Sequence, residues 1–166
     1  GSSTRSVTVS PDGARLYAVS PEADLVVPIN LEDFSTEPGI PVGDLPWSID
    51  SHPDGSFAYV ANRASDDVSV IDIVTGSSTY NQVVQIIDVG VEPVELVVTP
   101  DGDRVIVANS ASSDLSVIDG DQQSASFNQV LSRVPVGSGA KSVTVSPDGA
   151  FIYVGTEIGY VVFGAV

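Results

Sequence analysis

The sequence holds a single histidine, His52, two residues beyond Asp50. Residues two apart on an extended strand face the same side, so this is the one place where a carboxylate and an imidazole could cooperate as general base and acid. A hydrolytic or redox centre needs more: an activated nucleophile, a second base or a set of metal ligands. With no cysteine in the chain, thiol chemistry is excluded. His52 also stands where Ser10, Thr99 and Ser146 stand in three sister segments, which marks it as a surface turn residue. The expectation is therefore no catalytic residue, no metal and no cofactor.

A second set of residues suits binding. Arg5, Trp47, Val94 and Lys141 occupy one equivalent place in four repeated segments. Arg5, Trp47 and Lys141, with the neighbouring Glu95, form a candidate ring for an anionic or aromatic ligand. Asp24, Asp66, Asp67, Asp114 and Glu157 belong to the same side. They lack the close alternating spacing of carboxylates around Ca²⁺ and read as turn formers. Tyr80 and Phe127 open "YNQV" (80–83) and "FNQV" (127–130) at the tips of two long hairpins, a candidate ridge for a protein partner.

The elements that position these residues follow from repetition. "SVTVSPDGA" is spelled at 6–14 and again at 142–150, and Pro-Asp-Gly returns at 11–13, 53–55, 100–102 and 147–149, with spacings of 42, 47 and 47. Pro presets φ at the second turn position and Gly takes the left-handed conformation behind it. Each unit parses into four short strands, a to d, as in "SIDSH", "FAYVAN", "DVSVID" and "VVQIIDVG". Strand b is apolar on both alternating faces, as a strand packed between two layers must be; the Asn that ends it (Asn62, Asn109) is expected to bond the loop backbone. A period in the forties built of short strands is the mark of propeller blades.

The predicted fold class is thus all-β: a single-domain β-propeller of four-stranded antiparallel blades, about four of them, at about 1–43, 44–90, 91–137 and 138–166, the last lacking its outer strand. Pro28 falls inside strand c of the first unit, where Ile71 and Ile118 stand in others, so that blade should be irregular. In this frame the ring of Arg5, Trp47, Glu95 and Lys141 lies at the channel mouth and the Tyr80 and Phe127 tips on the opposite rim.

At 57–76 and 105–120, through "YVAN", "IVAN" and "SVID", the sequence resembles the YVTN family of bacterial and archaeal β-propellers, which are surface-layer-like and secreted repeat proteins. "HPDGSFAYVANR" (52–63) is similar to the related lactonase-type propellers. The first resemblance implies a non-catalytic interaction or scaffold module that is secreted, cell-surface or periplasmic, taking a protein or small ligand at the channel mouth. The second implies an alternative, a lactonase-like hydrolase or the propeller subunit of a periplasmic redox enzyme. Because the Asp50–His52 pair has no nucleophile or second base beside it, the sequence favours the first, and no hydrolysis of lactones or esters is expected.

Charge narrows the partners further. Against 22 acidic residues stand 6 basic ones, a formal net charge of −16, which repels nucleic acid and anionic membrane surfaces. No apolar run approaches the roughly 18–20 residues of a membrane helix, so no membrane insertion is expected. Gly1 aligns with the point where a preceding strand d would end. The expected arrangement is a segment of a larger propeller, or a half-ring that associates with a second copy through its open blade edges.

Overall fold

The structure is a computed structural model that describes residues 3–164, so the alignment point at Gly1 lies outside the described residues. Fifteen strands make four antiparallel sheets. Blade I holds β1 (Val7–Val9), β2 (Arg15–Ser20), β3 (Leu25–Asn30) and β4 (Ile40–Pro41); blade II holds β5 (Pro46–Ser51), β6 (Phe57–Asn62), β7 (Asp67–Asp72) and β8 (Gln82–Asp88). Blade III holds β9 (Pro93–Val98), β10 (Arg104–Asn109), β11 (Asp114–Asp119) and β12 (Val130–Pro135). Blade IV holds β13 (Ala140–Val145), β14 (Phe151–Thr156) and β15 (Gly159–Gly164). The only helical element among the described residues is one 3₁₀ turn, Pro21–Ala23, and no helix there is long and apolar enough to cross a membrane. The chain is an all-β propeller segment with the four-strand blade order inferred from its repeats.

Each Pro-Asp-Gly turn closes with its glycine at positive φ, at 71° for Gly13, 79° for Gly55, 83° for Gly102 and 72° for Gly149. The glycine N–H donates back to the carbonyl of the residue three before it, as from Gly13 to Ser10 at 2.8 Å. The Asp of the turn binds the next amides, which holds strands a and b in register. Blade I departs as Pro28 requires: Pro28 stays in register opposite Tyr17, but β4 shrinks to two residues and a lone bridge, Ile29 to Thr36, replaces the rest.

The core lies between blades, not within them. Tyr17, Val19 and Val26 of blade I meet Ile49, Val60 and Ile71 of blade II. Tyr59, Val68 and Ile87 of blade II meet Leu96, Val107 and Ile118 of blade III, and Ile106, Leu115 and Val136 of blade III meet Val143, Ile152 and Val154 of blade IV. Blades II and III are thereby packed on both faces, which removes apolar area from water on each side of a single layer, while blades I and IV each bury one face. Asn62 and Asn109 bond side chains of their own blade, not the loop backbone: Asn62 Nδ2 donates to Asp67 at 2.6 Å and Ser69 at 2.9 Å, and Asn109 repeats this with Asp114 and Ser116.

Candidate functional site

The inner strands β1, β5, β9 and β13 stand side by side and are laced by side chains that accept the next blade's amides. Ser6 Oγ accepts from Ile49 N–H (3.4 Å), Ser48 Oγ from Leu96 N–H (3.2 Å) and Glu95 Oε2 from Val143 N–H (2.9 Å). Asp50 adds a second lace between blades II and III, its Oδ2 accepting from Val98 N–H at 2.9 Å while Oδ1 accepts from its neighbour Ser51. Burial pushes the Asp50 carboxyl above the usual carboxylate range, opposed in part by the Val98 and Ser51 amides and by Thr8. It is the one carboxylate among the described residues with a resolved upward shift.

At the mouth, the candidate ring divides. Arg5 lies over the Trp47 ring with its guanidinium carbon 4.4 Å from the centroid, and Arg63, which the sequence did not single out, approaches the same ring at 5.0 Å. Two cations against one indole make a cation–π cluster. Arg63 is anchored by Glu92 at 2.9 Å, and an open pocket of about 490 Å³ lies beside them, lined by Leu45, Arg63, Asp66 and Glu92 among others. Lys141 is elsewhere, paired with Glu157 at 2.9 Å and near Ser110, while Glu95 is occupied by its lace. Asp24 and Asp66 accept from the amides of Leu45 and Glu92 on the following blade, and Ser113 does the same for Gly139. These loop residues join blades, and among the described residues no group of three or more His, Cys, Asp or Glu is arranged to hold a metal ion.

On the opposite rim, His52 contradicts its reading as a surface turn residue: it is only 6% exposed. Its Nδ1 lies 2.6 Å from Asp54 Oδ1 and its Nε2 lies 3.1 Å from the carbonyl of Gly102 on blade III. It does not pair with Asp50, whose carboxylate accepts from the Val98 and Ser51 amides, while the His52 ring is held by Asp54 and Gly102. Burial pushes the Asp54 carboxyl up, but hydrogen bonds from Ser56 and His52 outweigh it and hold the group below the usual range. Gln122 Nε2 of blade III reaches back to Asp54 at 2.6 Å and Ser56 at 2.8 Å, so an open pocket of about 590 Å³ lined by His52, Asp54, Asp101, Asp103 and Asp121 spans blades II and III. The lone His in a position otherwise filled by Ser or Thr was the sequence signal for this contact.

Tyr80 and Phe127 are half-buried and fold onto the preceding blade. Phe127 meets Phe57 with ring centroids 5.7 Å apart, and Arg15 lies over Tyr80 at 6.0 Å.

The family described as "Lactonase, 7-bladed beta-propeller" matches residues 1–143. Among solved structures, hydrazine synthase of Kuenenia stuttgartiensis superposes with a TM-score of 0.85 at 26% identity, over 97% of this chain and 46% of that one. A functionally unknown protein from Desulfotomaculum acetoxidans gives 0.86 at 21%, over 99% and 52%. A protein from Bacteroides uniformis with the provisional name 6-phosphogluconolactonase gives 0.84 at 15%, over 98% and 50%. The chain thus spans about half the length of the solved structures it matches. No curated protein matches it. The expectation that the chain is not an enzyme is corrected here: the family match, with lactonase-named neighbours, points to a hydrolase-like enzyme family. The expectation rested on the scarcity of His and the scatter of Arg over different elements, and residue scarcity does not decide the family, which the match over residues 1–143 does. By its blade topology and its sequence over residues 1–143, the chain belongs to the lactonase family of seven-bladed β-propellers.

Proposed function

We propose that the chain supplies part of a lactone-hydrolysing propeller, with the inner strands around Asp50 and the mouth around Arg5, Trp47 and Arg63 as its share of the site. The family match over residues 1–143 carries this reading. Hydrolysis of a lactone adds water to the ring carbonyl, breaks the ring C–O bond and leaves a proton on the departing oxygen. A carboxylate whose affinity for protons is raised by burial, as that of Asp50 is, is suited to take the proton from the attacking water. Arg5 and Arg63 offer positive charge against Trp47 where an anionic or polar lactone would enter. Lys141 and Glu95 contribute only if a ligand displaces their present partners.

The test is lactone opening followed at constant pH, with the fluorescence of Trp47, the chain's single tryptophan, as a binding signal. Turnover above the buffer rate that falls in Asp50→Asn, with binding retained, is the expected outcome; a rate equal to buffer sinks the reading. A second reading, a propeller component of a redox enzyme, draws support from the likeness to hydrazine synthase at 26% identity over 97% of the chain. It expects neither lactone turnover nor a Trp47 response to lactones.

A further inference from the structure

The residue that opens the a-to-b turn carries a hydroxyl in three blades and an imidazole in the other. Ser10, Thr99 and Ser146 donate that hydroxyl to the turn carboxylates of Asp12, Asp101 and Asp148, each at 2.6 Å. These bonds stay inside one blade. In blade II, His52 Nδ1 takes the same place, 2.6 Å from Asp54 Oδ1, and the ring carries Nε2 on to the Gly102 carbonyl of blade III at 3.1 Å. A carboxylate and a carbonyl can only accept, whereas a neutral imidazole has a single N–H to give. Both contacts are made at once only by the imidazolium, with a proton on each nitrogen.

The surroundings hold that arrangement. Asp54 Oδ1 also accepts from the Ser56 amide at 2.9 Å and the Ser56 hydroxyl at 2.6 Å, and its Oδ2 accepts from Gln122 Nε2 of blade III at 2.6 Å. The pocket beside the ring is lined by Asp101, Asp103 and Asp121 of blade III and, among the described residues, by no Lys or Arg. On the other side, Asp12 of blade I shares a smaller pocket with Asp54. Arg104 of blade III is paired with Asp119 at 3.5 Å. Tyr59 of strand b clamps blades II and III by donating its hydroxyl to Asn128 Oδ1 at 2.9 Å, and burial pushes its pKa up, so it stays protonated. Carboxylates without an unpaired cation favour the charged ring. The Gly102 carbonyl is enclosed from behind, since a side chain on Gly120 would collide with it, and among the described residues His52 is its one hydrogen-bond donor.

Once the ring gives up one proton, the two contacts cannot both survive. With the remaining proton on Nε2, the Nδ1 lone pair could turn to the Asp54 amide 3.4 Å away, but it would face the Asp54 carboxylate and push it off Gln122. With the proton on Nδ1, the shorter, charge-assisted contact to Asp54 is kept, and such contacts are the stronger ones. The Nε2 lone pair then faces the Gly102 carbonyl, which is left buried and unpaired. That costs more than a bond never built, and it is relieved when the turn moves out to water.

We propose that His52 is a proton-operated joint between blades II and III: doubly protonated, it ties the Asp54 turn to the Gly102 turn, and loss of the Nε2 proton lets the Gly102 turn come away. The inference concerns the rim opposite the mouth and is independent of lactone hydrolysis.

The chain's single histidine makes the test direct. In the full chain labelled with ¹⁵N-histidine, both ring nitrogens should read as protonated by NMR at about pH 5.5, and Nε2 should lose its proton by about pH 8.5 while Nδ1 keeps its own. The Gly102 and Gly120 amides, bonded to the carbonyls of Thr99 and Asp103, report opening of the turn by hydrogen exchange. Corrected for the intrinsic effect of pH, their protection should fall at least about tenfold as Nε2 deprotonates, the weight of one hydrogen bond to a charged group. Protection of Gly13 in the sister turn of blade I should not change. In His52→Ser, which restores the hydroxyl of the sister turns, the Gly102 and Gly120 amides should be equally and weakly protected at both pH values. A folded chain whose ring carries one proton at pH 5.5 overturns the proposal. So does protection of Gly102 and Gly120 that ignores the ring's titration, or that falls to the same extent in His52→Ser.

Discussion

The II–III and III–IV interfaces bury similar apolar sets, yet they differ in polar joints. Between II and III, apolar contact is reinforced by the Asp50 lace, the His52 contact with Gly102, the reach of Gln122 to Asp54 and the Tyr59–Asn128 clamp. Between III and IV, the Glu95 lace and the Ser113–Gly139 bond remain, and Ile106 stands where the clamp tyrosine would be. The apolar match lets blades stack, while the polar joints fix which blade follows which and at what height. Net gains per joint are modest, about 0.5–1.5 kcal/mol for a hydrogen bond, but a joint left half-made costs more than one never built.

The sharpest way to break the comparison is to remove the tyrosine of the II–III interface and its counterpart on blade IV, which lies in neither interface. Tyr59→Ala takes away core volume and a buried hydroxyl's partner together, and should cost about 3–5 kcal/mol. Tyr153→Ala, at the equivalent but exposed place, should cost a small fraction of that. Urea unfolding of both variants checks it, and equal losses would mean that the clamp position carries no interface-specific weight.

Glycine substitution sharpens the contrast next. Gly102 and Gly149 hold the same turn position, with φ 83° and 72°, so alanine at either bears the left-handed backbone cost of about 1–2 kcal/mol. A Cβ on Gly102 would also lie 2.6 Å from the His52 ring, whereas one on Gly149 would find nothing nearer than 4.0 Å. Gly102→Ala should therefore exceed Gly149→Ala in destabilisation, and changing His52→Ala in the same chain should erase most of the excess. A double-mutant cycle measures this. A smaller version uses one hydroxyl: Tyr59→Phe orphans Asn128 and should cost about 1 kcal/mol, while Tyr153→Phe should cost nothing measurable.

The blades were legible in the sequence because turns and strands are local. Pro-Asp-Gly fixes a turn wherever it occurs, and "FAYVAN" has the two-sided apolar pattern that only a sandwiched strand needs. The site was legible only in part. Arg5 and Trp47 share a place in the repeat and do meet, but Arg63 joins them from a different loop, and nothing in the spacing of residues 5, 47 and 63 announces that. Glu95 and Lys141 share the right ring yet are claimed by Val143 and Glu157. His52 looked exposed because the Pro-Asp-Gly residues that follow it make an exposed turn, but this position is buried in sister units too, at Ser10 and Thr99, and here its larger ring also reaches across to Gly102. Two misses, Glu95 with Val143 and His52 with Gly102, involve side chains that cross between blades. Two others, Arg63 with Trp47 and Lys141 with Glu157, join different elements of one blade. Period-based reading compares equivalent places and sees neither.

The finest contrast concerns charge, and Asp50 is set against the turn carboxylates. Hydrogen bonds led by Ser10, Thr99 and Ser146 hold Asp12, Asp101 and Asp148 below the ordinary value of 3.8. Their contribution is present above that value and is lost as pH falls through their lower folded values. Asp50 has the opposite sign: burial raises its folded value, so its charge weakens the fold at neutral pH, and that penalty is relieved as pH falls through the raised value toward 3.8. Asp50→Asn keeps a side-chain oxygen to accept from Val98 while removing the charge. The variant should therefore be as stable as the parent or slightly more so at pH 7, by less than about 1 kcal/mol, with the difference fading in acid once the parent carboxyl is protonated. The parent itself should lose stability overall below pH 4, because the turn carboxylates outnumber the one raised group. Loss of lactone turnover in Asp50→Asn together with unimpaired stability would place Asp50 among residues kept for chemistry at some expense of stability. A variant that unfolds more easily at pH 7 than at pH 4.5, relative to the parent, would show instead that the lace to Val98 depends on the full carboxylate charge.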